Sequence, residues 1–389
     1  MTEPELIDLR KHLHQHPELS GNEEQTAAFI KQRLKDLNPD ELLTGLGGAG
    51  IMARFNATGS ARKTLMFRAE LDAIAVEERS DHPHRSVVNG VMHGCGHDGH
   101  MMILLGFARW LAENRPSRIN TLILFQPAEE TGRGAGRVLS DSRFSSLKIS
   151  HAFALHNLPG YPEKCVVLRE GVFASASTGV EVGFRGQSSH AGYPEQGINP
   201  AGHIAELIEE AEALFRSFRN KNSLNKAVCT YIRMGARAFG ISPGNAKIGF
   251  TLRSPHDDAL NEALEDLGEL INRVSESFDG KTEVNHREPF SSTINDSAGV
   301  EWVRKAASQA GLKVQEIEEP FPWSEDFGAF REHCPVTLFG VGSGLNHPPL
   351  HSENYDFNDR LIDPGVELFS QIIKLYDRDI KNDRKEIRT

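Results

Sequence analysis

Residues 91–125 read VMHGCGHDGHMMILLGFARWLAENRPSRINTLILF, and the fold turns on how this stretch is divided. Its middle carries Leu104, Leu105, Phe107, Trp110 and Leu111 at helical spacing and stops at Pro116. Its end, NTLILF at 120–125, is a short apolar run of strand type; KTLMFRA at 63–69 and HAFALH at 151–156 are two more. Strands separated by helices imply a largely parallel sheet with helices on both faces, an α/β domain. The beginning of the stretch differs in kind. His93, Cys95, His97, Asp98 and His100 crowd together between Gly94, Gly96 and Gly99. Each alone has an ordinary structural use, but Cys95 with His97 combines thiolate and imidazole, which suits zinc and similar ions.

Working outward, EPELIDLRKHLHQHP reads as an opening helix and TAAFIKQRLKDL as a second. From about Thr178 the grammar changes. GVEVGFRG, KAVCTYIRMGA, NAKIGFTLRS and KTEVNHREPF read as strands, with NPAGHIAELIEEAEALFRSF and DDALNEALEDLGELINRVSESF as helices among them. That order is βαββαβ, the ferredoxin-like split-βαβ plan. The α/β grammar then resumes with helix SAGVEWVRKAASQA, strand LKVQEIEE, helix SEDFGAFREH, strand PVTLFGV and helix VELFSQIIKLYDRDI. The expected organisation is an α/β domain over 1–176 and 290–389 with a module inserted at 177–289.

The 389 residues suit two domains of ordinary size, and 39% apolar with 25% charged residues is a globular composition. A formal charge of -11 argues against nucleic acid or an anionic membrane as partner. The opening MTEPELIDLR has no apolar segment, and no stretch approaches the ~20 apolar residues of a membrane span. Cys95, Cys165, Cys229 and Cys334 lack disulfide-framework spacing, and the last three sit in core-like runs. A reduced, cytoplasmic setting is expected, with a disordered charged tail at 381–389.

In open α/β sheets, sites form beyond the carboxyl ends of the strands. Cys95 and His97 sit in the Gly-rich loop before a helix expected from Met101. Glu129 and Glu130, in QPAEE, follow the strand NTLILF. His156 ends HAFALH, and His351 follows PVTLFGV through GLNHPPLHSENYDF. Remote segments thus bring Cys, His and Glu to one rim. Cys95, His97, Glu130, His156 and His351 exceed what one structural zinc takes and suit two divalent cations, bridged by Cys95 or Glu130. Such a pair, about 3.5–4 Å apart, polarises a carbonyl and acidifies a water. A neighbouring free glutamate can then move protons.

MHGCGHDGH, FQPAEETGRGA, LHNLPG and SSHAGYPEQGINP together resemble the aminoacylase/carboxypeptidase-G group of dinuclear metallohydrolases, the M20 type of peptidase. Within it the similarity is to hippurate hydrolases and auxin-conjugate hydrolases, and it spans nearly the whole chain. The resemblance implies that Cys95, His97, Glu130, His156 and His351 hold two divalent ions, Mn²⁺ or Zn²⁺ with Co²⁺ or Ni²⁺ as alternatives. It implies that Glu129 is the general acid/base. His190, in the inserted module, would stabilise the oxyanion in the partner subunit of a homodimer. The module would serve as lid and dimerisation surface, and Arg253 of GFTLRS would lie in the substrate region. The implied activity is cleavage of N-acyl amino acids.

Two departures stand out. RAELDA has Glu70 where paired aspartates are usual, and ARAFGISPGNA lacks the usual Asn, with Phe239 nearby. A metallo-dipeptidase or carboxypeptidase acting on short peptides is therefore the alternative. A metal-binding module without catalysis is disfavoured by Glu129, since a structural site needs no extra acid. A phosphohydrolase built on His-Asp would put its acids on helices, whereas strands precede three of the four clusters here. The remaining histidines read as structural: His93 and His100 as supports, His203 as a helix residue, and the pair in HQHPELS as surface. Asp98 either caps the helix or orients His97.

Overall fold

The computed structural model of the chain describes residues 2–386. Two compact units emerge, one of 1–173, 293–320 and 326–389, the other of 174–292 and 321–325. The expected boundaries place all of 290–389 in the first. Phe321–Glu325 instead clusters with the second, where Ser175 N–H donates to the carbonyl oxygens of Phe321 and Trp323 at 3.1 and 3.0 Å.

The first unit is built on an eight-stranded sheet. Its central strands are Ile119–Gln126, Lys63–Glu70, His151–Pro159 and Val336–Gly344, paired in that order and all parallel. Consecutive residues along them are buried, so both faces are covered, as parallel sheets require. A hairpin that the periodicity does not reveal, Glu41–Leu46 and Gly50–Phe55, adds antiparallel strands at one edge. Val166–Leu168 and Val314–Glu316 complete the other.

The helix expected from Met101 spans His97–Glu113. Its apolar spacing suggests an amphipathic helix, but every residue from His97 to Ala108 is buried. A helix apolar nearly all round belongs inside a protein. Its core partners include Phe67, Phe153 and Phe369. The helix expected at 324–333 is a 3-10 segment, Asp326–Glu332. The last helix runs Ile362–Glu386, so the tail read as disordered is helical that far, and 387–389 lie outside the described residues.

The second unit has the order βαββαβ. Its antiparallel sheet runs Lys226–Met234, Asn245–Ser254, Ala176–Arg185, Lys281–Phe290. Helices Ala201–Lys221 and Asp257–Glu276 bury Leu207, Phe215, Leu267 and Ile271 with Val182, Phe184, Ile248 and Phe250 of the strands. No described helix is long and apolar enough to cross a membrane.

Candidate metal centre

The loop before the central helix is shaped by Gly96, whose φ of 89° lies in the left-handed region. A Cβ there would come within 2.6 Å of both Asn157 Oδ1 and Tyr355 Oη, so only glycine can turn the chain at this point. The turn leaves Cys95 just before the helix and makes His97 its first residue, four positions earlier than the sequence suggests. His156 also differs from expectation: the strand continues through Pro159, so His156 projects from within it. His97 Nδ1 lies 2.8 Å from the carbonyl oxygen of Asp72, and His156 Nδ1 lies 2.8 Å from that of Asn157. A carbonyl only accepts, so both rings carry a proton on Nδ1 and, when neutral, turn an Nε2 lone pair to the site. Cys95 Sγ lies 3.4 Å from His156 Nε2.

The PAEE turn is forced by Ala128, at φ 55°, whose N–H donates to Glu23 Oε1 at 2.8 Å. It sends the two glutamates to different tasks. Glu129 is buried, accepts from the Asp326 N–H through Oε1 at 3.3 Å, and sets Oε2 3.9 Å from His97 Nε2. Glu130 is anchored by its own N–H to Asp72 Oδ2 at 3.0 Å. Its Oε1 lies 3.8 Å from His97 Nε2 and 3.6 Å from His351 Nε2. His351 is also left-handed, at φ 63°, and its N–H donates to the Gly94 carbonyl at 2.8 Å. Non-glycine residues in this region cost about 1–3 kcal/mol each, and such strain concentrates at functional sites.

Cys95, His97 and His156 form one triad whose ligand atoms lie within 4.8 Å of one another; Cys95, Glu130 and His351 form a second. Cys95 belongs to both. His97 Nε2 and Glu130 Oε1 are buried without a hydrogen-bond partner among the described residues. Orphaned buried donors and acceptors are costly, and a cation between them would satisfy both. Thiolate, imidazole and carboxylate suit borderline divalent ions. The residues fit a metal centre.

The electrostatics agree. Burial pushes His156 down to about 3, and the neighbouring His100 adds to this, so its ring is neutral and ready to ligate. Burial would also lower His97, but its hydrogen bond to Asp72 and the charges of Glu70 and Glu130 outweigh this and hold it up to about 10. The metal-free protein therefore keeps His97 protonated at neutral pH, and an ion must displace that proton. Below pH 10 the neutral fraction grows with pH, so apparent metal affinity should climb with pH, by up to about tenfold per unit. Calorimetric titration of the metal-free protein in buffers of different ionisation enthalpy should report proton release. Affinity independent of pH, with no proton released, would remove His97 from the ligand set.

Around the site the polar side chains form two buried groups. Glu70, the departure in RAELDA, pairs with Arg68 and lies 2.7 Å from His100 Nδ1. Arg68 also meets Gln126 and Asp326, the residue that holds Glu129. His100 accepts from the Asn157 N–H at 3.1 Å, which makes it a support, as its position suggests. Asp98 both bonds the Gly99 N–H at 3.0 Å and pairs with Arg10 and His14 at 3.0 and 2.9 Å. The surface reading of HQHPELS is wrong for His14, which is fully buried, and holds for His16. Arg10 and His14 recur every four residues on one helix face, a pattern that looks like a solvated stripe until Asp98 is placed against it. Asp72, Asp326 and Asn157 also escape sequence reasoning. Single polar residues within or just beyond a strand or 3-10 segment carry no distinguishing signal.

In the second unit, His190 is exposed and pairs with Ile241 in a short two-stranded bridge. The Gly192 N–H donates to His190 Nδ1 at 3.0 Å, which puts the proton of the neutral ring on Nε2 and leaves it as an outward donor. Arg253 donates to Ser324 Oγ at 3.1 Å, and Phe239 is 98% exposed at the tip of its loop.

Comparison with known proteins accords with this geometry. The model of peptidase family M20/M25/M40 matches residues 66–375. The N-acetyl-L-cysteine deacetylase of Bacillus subtilis is 33% identical over 355 residues, covering 90% of this chain and 83% of its own. The fold matches a Bacillus subtilis structure described as a dinuclear metal binding peptidase from the M20 family, with TM-score 0.76, 23% identity and 97% and 98% of the two chains covered. It also matches the aminobenzoyl-glutamate utilization protein of Klebsiella pneumoniae, with TM-score 0.73, 19% identity and 95% of each chain covered. With these matches beside the cluster at Cys95, the chain belongs to peptidase family M20/M25/M40, and it is a metallohydrolase acting on amide bonds.

Proposed function

We propose that the chain hydrolyses the amide bond of N-acyl amino acids, releasing a carboxylic acid and a free amino acid, as a cytoplasmic homodimer with two divalent ions per subunit. The observation that carries this reading is the division at PAEE: Cys95 is common to two ligand triads, while Glu129 is held beside them by a backbone N–H. Cys95, His97, Glu130, His156 and His351 would hold the ions, Mn²⁺ or Zn²⁺. When bound, the ions supply Lewis acidity to the amide carbonyl and to water. Glu129 takes the proton of the attacking water through Oε2 while the Asp326 N–H keeps Oε1 in place, and it returns that proton to the leaving nitrogen. His190 Nε2–H donates to the oxyanion in the partner's site, and the inserted module acts as lid. Arg253 lies toward the substrate.

The relative from Bacillus subtilis named for deacetylation of N-acetyl-L-cysteine supports the acyl-amino-acid class. Hydrolysis of short peptides is the second reading, favoured by the exposed Phe239 and by the absence of Asn beside it. A panel of N-acyl amino acids and dipeptides, assayed with several added metals, separates the two. Chelation should abolish activity, and reconstitution should restore it with close to two catalytic ions per chain. Full activity at a firm stoichiometry of one would overturn the dinuclear part. Preference for dipeptides across the panel would overturn the acyl-amino-acid part.

A further inference from the structure

We propose a further divalent-cation site, formed by His82, His84 and Asp356 and chemically separate from the centre at Cys95. The two histidines flank Pro83 in a turn closed by the Arg85 N–H to the His82 carbonyl at 3.0 Å. The turn holds the two rings on one side, where they stack with centroids 5.2 Å apart at 17°. Both face the same carboxylate oxygen. Asp356 Oδ2 lies 2.9 Å from His84 Nε2 and 3.9 Å from His82 Nε2. Donors on one zinc-like ion, each at about 2.0–2.2 Å, stand roughly 3–3.5 Å apart, so His84 and Asp356 already stand near ligand spacing and the exposed His82 ring has to move closer.

The contacts around His84 are at odds without an ion. Its Nε2 faces Asp356 Oδ2, which only accepts, and Arg10 Nη2 at 3.2 Å, which only donates. With a proton on Nε2 the ring opposes Arg10; with a lone pair there it opposes Asp356. A cation between Nε2 and Oδ2 would use both the lone pair and the carboxylate. Arg10 could release this contact because it is also held by Asp98, by Asp356 Oδ1 and by Asp359.

Charge favours the same occupant. The buried cations Arg10 and His14, with Lys11 acting on Asp359 from outside, face Asp98, Asp356, Asp359 and Glu78. Negative charge is in excess. Two imidazoles and one carboxylate select zinc, nickel or copper over magnesium or calcium. The ion's role would be structural. The Arg79 N–H already bonds the Glu353 carbonyl at 2.7 Å, and a cation would clip this loop more firmly to the segment that carries His351.

The test uses the whole protein equilibrated with Zn²⁺. Wild type should bind one more ion per chain than a His82→Ala/His84→Ala variant, and the variant should keep its hydrolytic activity with the remaining ions. His82→Ala alone, at an exposed position, should weaken loading of that last ion by about tenfold or more. Equal stoichiometry and equal zinc dependence of Tm in all three proteins would overturn the proposal. Because the readout is a difference of one ion, it stands whether the main centre holds one metal or two.

Discussion

Glu129→Gln should lower turnover by about 10²–10⁴-fold while leaving metal content unchanged, the usual scale for loss of a general acid/base. The Asp326 N–H still finds an acceptor in the amide oxygen at Oε1, so the side chain stays in place and only its basicity is lost. Glu130→Gln should behave differently. Glu130 Oε1 stands between His97 and His351, so its amide puts a neutral group where a charged ligand belongs, and both metal and rate should fall. Metal analysis alongside steady-state kinetics separates the two. If Glu129→Gln lost metal and Glu130→Gln kept it, the order of roles within PAEE would be reversed.

His190→Ala should depress kcat by about 10²–10³-fold with metals retained, since an oxyanion donor acts in the transition state. His190→Gln, which keeps an N–H donor near Nε2, should recover part of the loss, a result that a purely structural role would not produce. If the donor serves the partner's site, mixing Glu129→Gln subunits with His190→Ala subunits under exchange should create heterodimers with one intact site. Activity should then appear from two inactive proteins. Demonstrated exchange without recovery would confine His190 to its own chain or remove it from catalysis.

Much of this architecture is legible in the residues alone. The strands at 63–70, 119–126 and 336–344 are short apolar runs between helical periods, and period is a local property that the chain states outright. The hairpin at 41–55 escapes such reading because its strands follow one another across a tight Gly47–Gly48 turn and the first of them is mostly not buried. The central helix starts earlier than its pattern suggests because Gly96 and Gly99 look like breakers. Gly96 is the turn that begins the helix, and Gly99 lies against the Phe357 ring, where a Cβ would come within 2.3 Å.

For the centre itself, the candidate ligands Cys95, His97, Glu130, His156 and His351, and the candidate proton carrier Glu129, can be read from the sequence alone, because they sit in compact motifs whose chemistry is visible in their residue types. The sequence could not determine how those groups are held. That Asp72 orients both His97 and Glu130, that Asp326 secures Glu129, and that Arg10 and His14 lie buried against Asp98 depends on contacts between residues tens to hundreds of positions apart. Donor type belongs to a residue, whereas burial, tautomer and charge balance belong to its surroundings. Only the packed sheet brings those surroundings together.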